Sequence, residues 1–205
     1  FNNATDIAGG ASHSLILNNG NVWAIGEGFD GQLGNGANDP SLAPVEVVDG
    51  SSTALTNVTN IAAGLVHSLA IINGEVWTWG NNTYGQLGDG TTTSSNVALQ
   101  VGGLSGMTAV AGGNGFSLAL KNDGTVWAWG DNTYGQLGQG DTTSVLTPVK
   151  VKTGVSSYLQ NITAISAGQN FALALDSSGN VYSWGTSNNM DYPYETGVLG
   201  YSTSG

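Results

Sequence analysis

The chain is 205 residues long, with 33 glycines, only 8% charged residues and a net charge of −11. It has no arginine, and its only lysines are Lys121, Lys150 and Lys152. No surface can therefore neutralise a run of phosphates, which excludes duplex binding and electrostatic attachment to anionic membranes. Cysteine is absent, which removes disulfides, thiolate metal sites and thiol nucleophiles. No apolar run reaches the length of a membrane span, so no membrane insertion is expected.

In chain order the dominant feature is a repeat. Ala8-Gly9-Gly10-Ala11-Ser12-His13-Ser14-Leu15 returns as Ala62-Ala63-Gly64-Leu65-Val66-His67-Ser68-Leu69. It returns again at Ala111–Leu118 and at Ser166–Leu173, where Phe116 and Phe171 occupy the histidine column. Each copy is followed by an aromatic run ending in glycine: Val22-Trp23-Ala24-Ile25-Gly26, Val76-Trp77-Thr78-Trp79-Gly80, Val126-Trp127-Ala128-Trp129-Gly130 and Val181-Tyr182-Ser183-Trp184-Gly185. Gly-Gln-Leu-Gly comes next, at 31–34, 85–88 and 135–138, with Gly197-Val198-Leu199-Gly200 as a delayed fourth version.

These short β-branched and aromatic runs, bounded by Gly and Asn, predict strands and no helix. Asn19-Gly20, Asn73-Gly74, Asp123-Gly124 and Ser178-Gly179 predict hairpin turns, because these residues accept positive φ. Pro44-Val45-Glu46-Val47, Ala98-Leu99-Gln100-Val101 and Pro148-Val149-Lys150-Val151 predict a further strand, and the residues just before each Ala-Gly predict another. Four short strands per unit of about 50 residues fit a propeller blade. The expected units are 1–54, 55–104, 105–157 and 158–205. The expected fold is an all-β, propeller-like array of four blades of about four antiparallel strands, open or completed by a neighbouring chain. The two rings of Trp77-x-Trp79 share one strand face, and the reading preferred for them is packing between blades over stacking on sugars.

The columns A-[AG]-G-x-x-[HF]-S-L-A-L, x-D-G-x-V-W-x-W-G, x-N-x-x-G-Q-L-G and x-x-P-V-x-V together resemble the regulator-of-chromosome-condensation repeat over nearly the whole chain, in a short β-propeller of bacterial or archaeal type. The resemblance implies four-stranded blades around an axis, usually seven. It also implies a family that includes guanine-nucleotide exchange factors, a β-lactamase inhibitor and many bacterial secreted or surface proteins. Here there are four repeats, and the fourth Pro-Val-x-Val strand is missing. Together with the start at Phe1, this leaves two readings open: a piece of a larger or processed protein, or a whole open-edged array. An open edge invites strand addition by another chain. The residues expected at such an inter-chain edge are Phe1, Asn2, Asn3, Leu199 and Tyr201.

Candidates for chemistry are few. His13 and His67 share a column with phenylalanine, so they are read as packing residues and not as metal ligands or acid–base groups. Asp89, Asp131 and Asp141, beside the Gly-Gln-Leu-Gly loops, and Asp123, in a hairpin, are read as turn residues bonding their own backbone. Calcium binding is the alternative there, without an EF-hand pattern. No nucleophile elbow or phosphate loop occurs, so no catalytic residue, metal or cofactor is expected. Asn3, Asn57, Asn81 and Asn161 begin Asn-x-Ser/Thr triplets and are candidate glycan acceptors. The insertion carrying Met190, Asp191, Tyr192, Tyr194 and Glu195 is the candidate contact loop.

The expected function is a non-enzymatic extracellular or cell-surface module: a filament or surface-layer subunit joined by strand exchange, with copies of itself or another surface protein as partners. The alternative is a ligand- or protein-binding propeller piece of a larger adhesin, lectin or inhibitor. Guanine-nucleotide exchange is the remote alternative.

Overall fold

The computed structural model describes residues 2–186. It is built from four antiparallel sheets with no helix among the described residues. Blade 1 comprises β1 (Ala4–Gly9), β2 (His13–Asn18), β3 (Asn21–Gly26) and β4 (Ser41–Glu46). Blade 2 comprises β5 (Val58–Ala63), β6 (His67–Ile72), β7 (Glu75–Gly80) and β8 (Ser95–Gln100). Blade 3 comprises β9 (Met107–Gly112), β10 (Phe116–Lys121), β11 (Val126–Gly130) and β12 (Val145–Lys150). Blade 4 has, among the described residues, β13 (Ile162–Ala167), β14 (Phe171–Asp176) and β15 (Val181–Gly185). Each sheet is a simple meander in sequence order; short turns join the first three strands, and a longer loop joins the third to the fourth.

The first strands of successive blades lie side by side, β1 against β5, β5 against β9 and β9 against β13, so they line the inside of the array. The turns between first and second strands are tied blade to blade by backbone bonds: Ala11 N–H donates to Leu65 O at 3.0 Å, Leu65 to Gly113 at 3.1 Å and Asn114 to Gln169 at 2.9 Å. The residue before each first strand needs a left-handed backbone: Asn3, Asn57, Gly106 and Asn161 have φ of 71, 57, 72 and 59°. Glycine and asparagine are the residues that adopt it at least cost.

Burial follows from position in the array. On β6 and β10 both faces are covered, and His67 to Ile71 and Phe116 to Leu120 are all buried. On β2 only the face toward blade 2 is covered: His13, Leu15 and Leu17 are buried, while Ser14 is exposed. On β14 the covered face is the one toward blade 3, with Ala172 and Ala174 buried and Leu175 exposed. Among the described residues no blade covers blade 1 from that side: Ile7 is 77% exposed, whereas its counterparts Ile61 and Val110 are 5% and 8% exposed beneath the preceding blade.

Candidate interaction surface

Each blade is joined to the next by the same set of contacts. The Gly-Gln-Leu-Gly segment leaves the end of the third strand and enters the cleft between blades. Its leucine (Leu33, Leu87 or Leu137) is fully buried, which stabilises each joint by about 2 kcal/mol relative to exposure. The backbone carbonyl of its glutamine accepts from an indole on the following blade: Trp79 Nε1–H to Gln32 O at 2.9 Å, Trp129 to Gln86 at 2.8 Å and Trp184 to Gln136 at 2.8 Å. The last glycine lies under that indole. A Cβ on Gly88 would sit 2.7 Å from Trp129 Nε1, and φ there is +73°. The tryptophans thus pack between blades, as their spacing predicts.

A serine and a histidine complete the joint. Ser68 Oγ donates to Gln32 O at 2.9 Å and lies 2.9 Å from His13 Nε2. Ser117 Oγ donates to Gln86 O at 2.8 Å and lies 2.9 Å from His67 Nε2. The serine's one hydrogen is committed to the carbonyl, so the imidazole Nε2–H must donate to the serine oxygen. That leaves Nδ1 bare, buried and without a partner in both rings. Burial holds both imidazoles neutral, lowering His13 from 6.5 to about 4 and, with help from the neighbouring His13, lowering His67 to about 3. Each ring rests on a bare glycine Cα of its own blade, Gly10 or Gly64. At the joint between blades 3 and 4 the pair changes as a unit: Phe116 stands in the histidine column and Ala172 in the serine column, within one buried cluster.

The first–second strand turns and the third–fourth strand loops emerge on one face of the array, and the hairpins and blade linkers on the other. The loop face displays Phe29, Tyr84 and Tyr134, which are 67%, 50% and 40% exposed. Tyr84 lies against Gly115 of blade 3. The backbone N–H of Tyr84 and of Tyr134 is held by the side-chain oxygen of Gln86 and Gln136, at 2.9 and 2.8 Å, so the rings stand on a fixed base. Glu27, Asp30, Asp39, Asp89, Asp131 and Asp141 lie on this face, while Lys121, Lys150 and Lys152 all lie on strands or linkers leading to the other. Among the described residues the loop face is therefore purely acidic.

Three of these carboxylates, and Asp123 of the opposite face, are tied into their own turns. Asp131 Oδ1 accepts from Thr133 N–H at 3.0 Å and Oδ2 from Gln136 Nε2 at 2.8 Å. Asp89 and Asp141 accept from the N–H of Thr91 and Thr143, each at 2.9 Å, and Asp123 from Thr125 N–H at 3.0 Å. Asp30 instead accepts from Asn81 Nδ2 of the next blade at 2.7 Å. No group of three or more His, Asp or Glu is placed to hold a metal among the described residues.

Of the expected edge residues, Asn2 and Asn3 lie exposed ahead of β1. Phe1, Leu199 and Tyr201, and the loop residues Met190, Asp191, Tyr192, Tyr194 and Glu195, fall outside the described residues. Asn3, Asn57 and Asn161 are exposed and take the left-handed turn position. Asn81 is partly buried and engaged on both amide atoms, since its Oδ1 accepts from Thr83 N–H and Gln86 Nε2, each at 3.0 Å. The serine partners of the histidines and the glutamine carbonyls were not singled out from the sequence. The signal was present: His13 and His67 precede a serine-bearing blade, and Phe116 precedes the alanine-bearing one.

The RCC1-like domain family model matches residues 1–200. The E3 ubiquitin-protein ligase HERC2 of Mus musculus is 33% identical over 190 residues, 88% of this chain and 4% of HERC2. The ultraviolet-B receptor UVR8 of Arabidopsis thaliana is 35% identical over 188 residues, 87% of this chain and 40% of UVR8. The chain thus spans only a small part of these relatives. Both are eukaryotic, so the bacterial or archaeal type expected from the sequence finds no support in them. Human WBSCR16 superposes with a TM-score of 0.81 at 24% identity, covering 98% of this chain and 54% of that one. Yeast RCC1 (Prp20) gives 0.78 at 22%, covering 98% and 49%. With the repeated blades, the buried joints and this match along nearly its full length, the chain belongs to the RCC1-like domain family.

Proposed function

We propose that the chain is a non-enzymatic protein-binding module whose loop face receives a basic segment of a partner protein. The observation that carries this reading is the pairing, on one face, of Phe29, Tyr84 and Tyr134 with carboxylates and no cation. Such a face suits arginine and lysine, which stack on aromatic rings and are steered by negative potential. Among the described residues the histidines and turn aspartates are committed to structure: the serine beside each imidazole donates its hydrogen to a glutamine carbonyl and not to the ring. Fold alone does not assign function. Yeast Prp20p, however, is described by its binding to Gsp1p and histones, and protein binding on this fold agrees with the reading.

The test is fluorescence anisotropy of a labelled arginine-rich peptide with the whole chain. Binding that weakens with salt, and that falls about tenfold in the Tyr84→Ala/Tyr134→Ala double variant, is expected. No binding, or binding indifferent to both tyrosines, would overturn it.

A second reading, self-assembly into a filament at an extracellular surface, draws on the open face of blade 1. There Ile7 and Leu42 are 77% and 99% exposed. Electron microscopy of the concentrated protein decides it: head-to-tail fibres support assembly, and dispersed single arrays dismiss it. Nucleotide exchange draws on the family alone, and release of labelled nucleotide from a small GTPase tests it.

A further inference from the structure

We infer that the outer corner of blade 3, where Lys121, Lys150 and Lys152 gather around Trp127 and Tyr158, is a docking site for an acidic segment of a partner protein. The site is separate from the loop face and opposite to it in charge. It recognises carboxylates and not a main chain.

All three lysines of this arginine-free chain stand on one face of one blade. Lys150 on β12 is the cross-strand partner of Trp127 on β11, and Trp127 is the partner of Ala119 on β10. Residues directly opposite share a face, as do residues two apart on a strand. Lys121 lies two beyond Ala119, and Lys152 two beyond Lys150. Lys152 is also bridged to Tyr158. The Lys150 ammonium sits 5.4 Å from the Trp127 ring and 5.6 Å from the Tyr158 ring. From strand spacing and rise, the three lysine stems begin within roughly 12 Å of one another. Lys121 Nζ is 3.6 Å from Asp123, and Lys152 makes no ion pair among the described residues. In a chain of net charge −11, this is the one place where side-chain cations draw an anionic partner inward.

The corner is uncovered because the linker before it is short. Between blades 1 and 2 the chain runs from buried Val47 to buried Leu55, and its first residues lie along β8. There Ala98 N–H donates to Val48 O at 2.8 Å, and Asp49 bridges to Ala98. Between blades 2 and 3 only Gly102 and Gly103 separate buried Val101 from buried Leu104. A Cβ on either glycine would meet nothing within 4 Å. Pro148 on β12 stands in the column of Ala98 and has no N–H to offer a segment alongside. Strand addition is therefore blocked at that position, and side chains are left to carry recognition.

The comparison of the two joints identifies the occupant. On blade 2 an aspartate-bearing segment runs past the fourth strand, but Asp49 spends its carboxylate on the N–H groups of Ser51 and Thr53. Gln100, in the column of Lys150, is neutral. Blade 2 thus marks the path of a segment, and the lysines of blade 3 set its charge. Two aromatic faces beside them accept the apolar stems of aspartate or glutamate.

The test is fluorescence anisotropy of a short labelled glutamate-rich peptide with the whole chain. Binding that weakens as salt rises is expected. Lys150→Gln combined with Lys152→Gln is expected to weaken it about tenfold, while arginine at both positions keeps it. Lys150→Gln copies Gln100 of blade 2, and thermal unfolding at the wild-type midpoint shows that the fold is kept. The Tyr84→Ala/Tyr134→Ala variant is expected to bind this peptide as wild type does, so failure here and failure of the loop-face reading are told apart. Four results would each overturn the inference: no binding by wild type, equal binding by the glutamine variant, equal binding of a glutamine-rich peptide of the same length, or displacement of the peptide by an equal concentration of inorganic phosphate.

Discussion

His67 of blade 2 and Ser117 of blade 3 meet across their joint at 2.9 Å, and the same serine donates to the Gln86 carbonyl, so one hydroxyl binds two elements of the preceding blade. The pair is wholly buried, and a buried polar group left without its partner is costly.

Ser117→Ala leaves the His67 Nε2–H unpaired and is expected to lower stability by about 1–3 kcal/mol. His67→Phe combined with Ser117→Ala copies the Phe116–Ala172 joint and is expected to recover most of that loss. Urea denaturation of the two singles and the double gives the coupling. Losses that simply add would show that the two columns are independent.

The same burial makes stability depend on pH. The folded histidines take up protons only near about 4 and about 3, against 6.5 for a free imidazole. Below 6.5 the unfolded chain binds protons that the folded chain refuses. The stabilising contribution is therefore complete above pH 6.5 and is lost progressively as pH falls through 4 toward 3. The loss is on the order of 3 kcal/mol for His13 alone once both states are protonated. Urea midpoints between pH 7.5 and 4.5 should fall in wild type and flatten when both histidine–serine pairs are replaced by phenylalanine–alanine. An unchanged slope in that variant assigns the effect to carboxylates instead.

Gly88 and Gly36 separate backbone strain from steric collision. Both have positive φ, +73 and +82°, but a Cβ on Gly88 meets Trp129 Nε1 at 2.7 Å, whereas nothing lies within 4 Å of one on Gly36. Gly36→Ala is expected to cost about 1 kcal/mol, from φ alone. Gly88→Ala must also displace the indole and is expected to cost at least about 2 kcal/mol more. Thermal unfolding of the two variants checks the difference.

Asn57 begins a glycan-acceptor triplet and also holds φ at 57°. If the backbone explains it, Asn57→Gly keeps full stability and Asn57→Ala loses about 1 kcal/mol, in protein that carries no glycan. Blade 3 already makes this exchange, with Gly106 at φ 72°. Equal stability of the alanine and glycine variants would leave the asparagine unexplained by geometry.

The blades, their strands and their hairpins were legible in the sequence, because each is written locally. Alternation of period two, Gly and Asn at turns, and recurrence of whole columns need no knowledge of distant neighbours. Even the packing role of His13 and His67 followed from the phenylalanines in their column. What the tertiary structure decided lies between blades. The acceptor for Trp79 is a backbone carbonyl at Gln32, which no side-chain pattern reveals. Ser14 and Ser68 occupy the same column in nearly the same local sequence, yet one is exposed and the other buried with two hydrogen bonds. The difference comes from a blade some fifty residues away in the chain, present before Ser68 and not found before Ser14 among the described residues. Local sequence sets each strand's two faces, but only the neighbouring blade removes water from one of them, and there the hydrogen-bond pairing acquires its energetic weight.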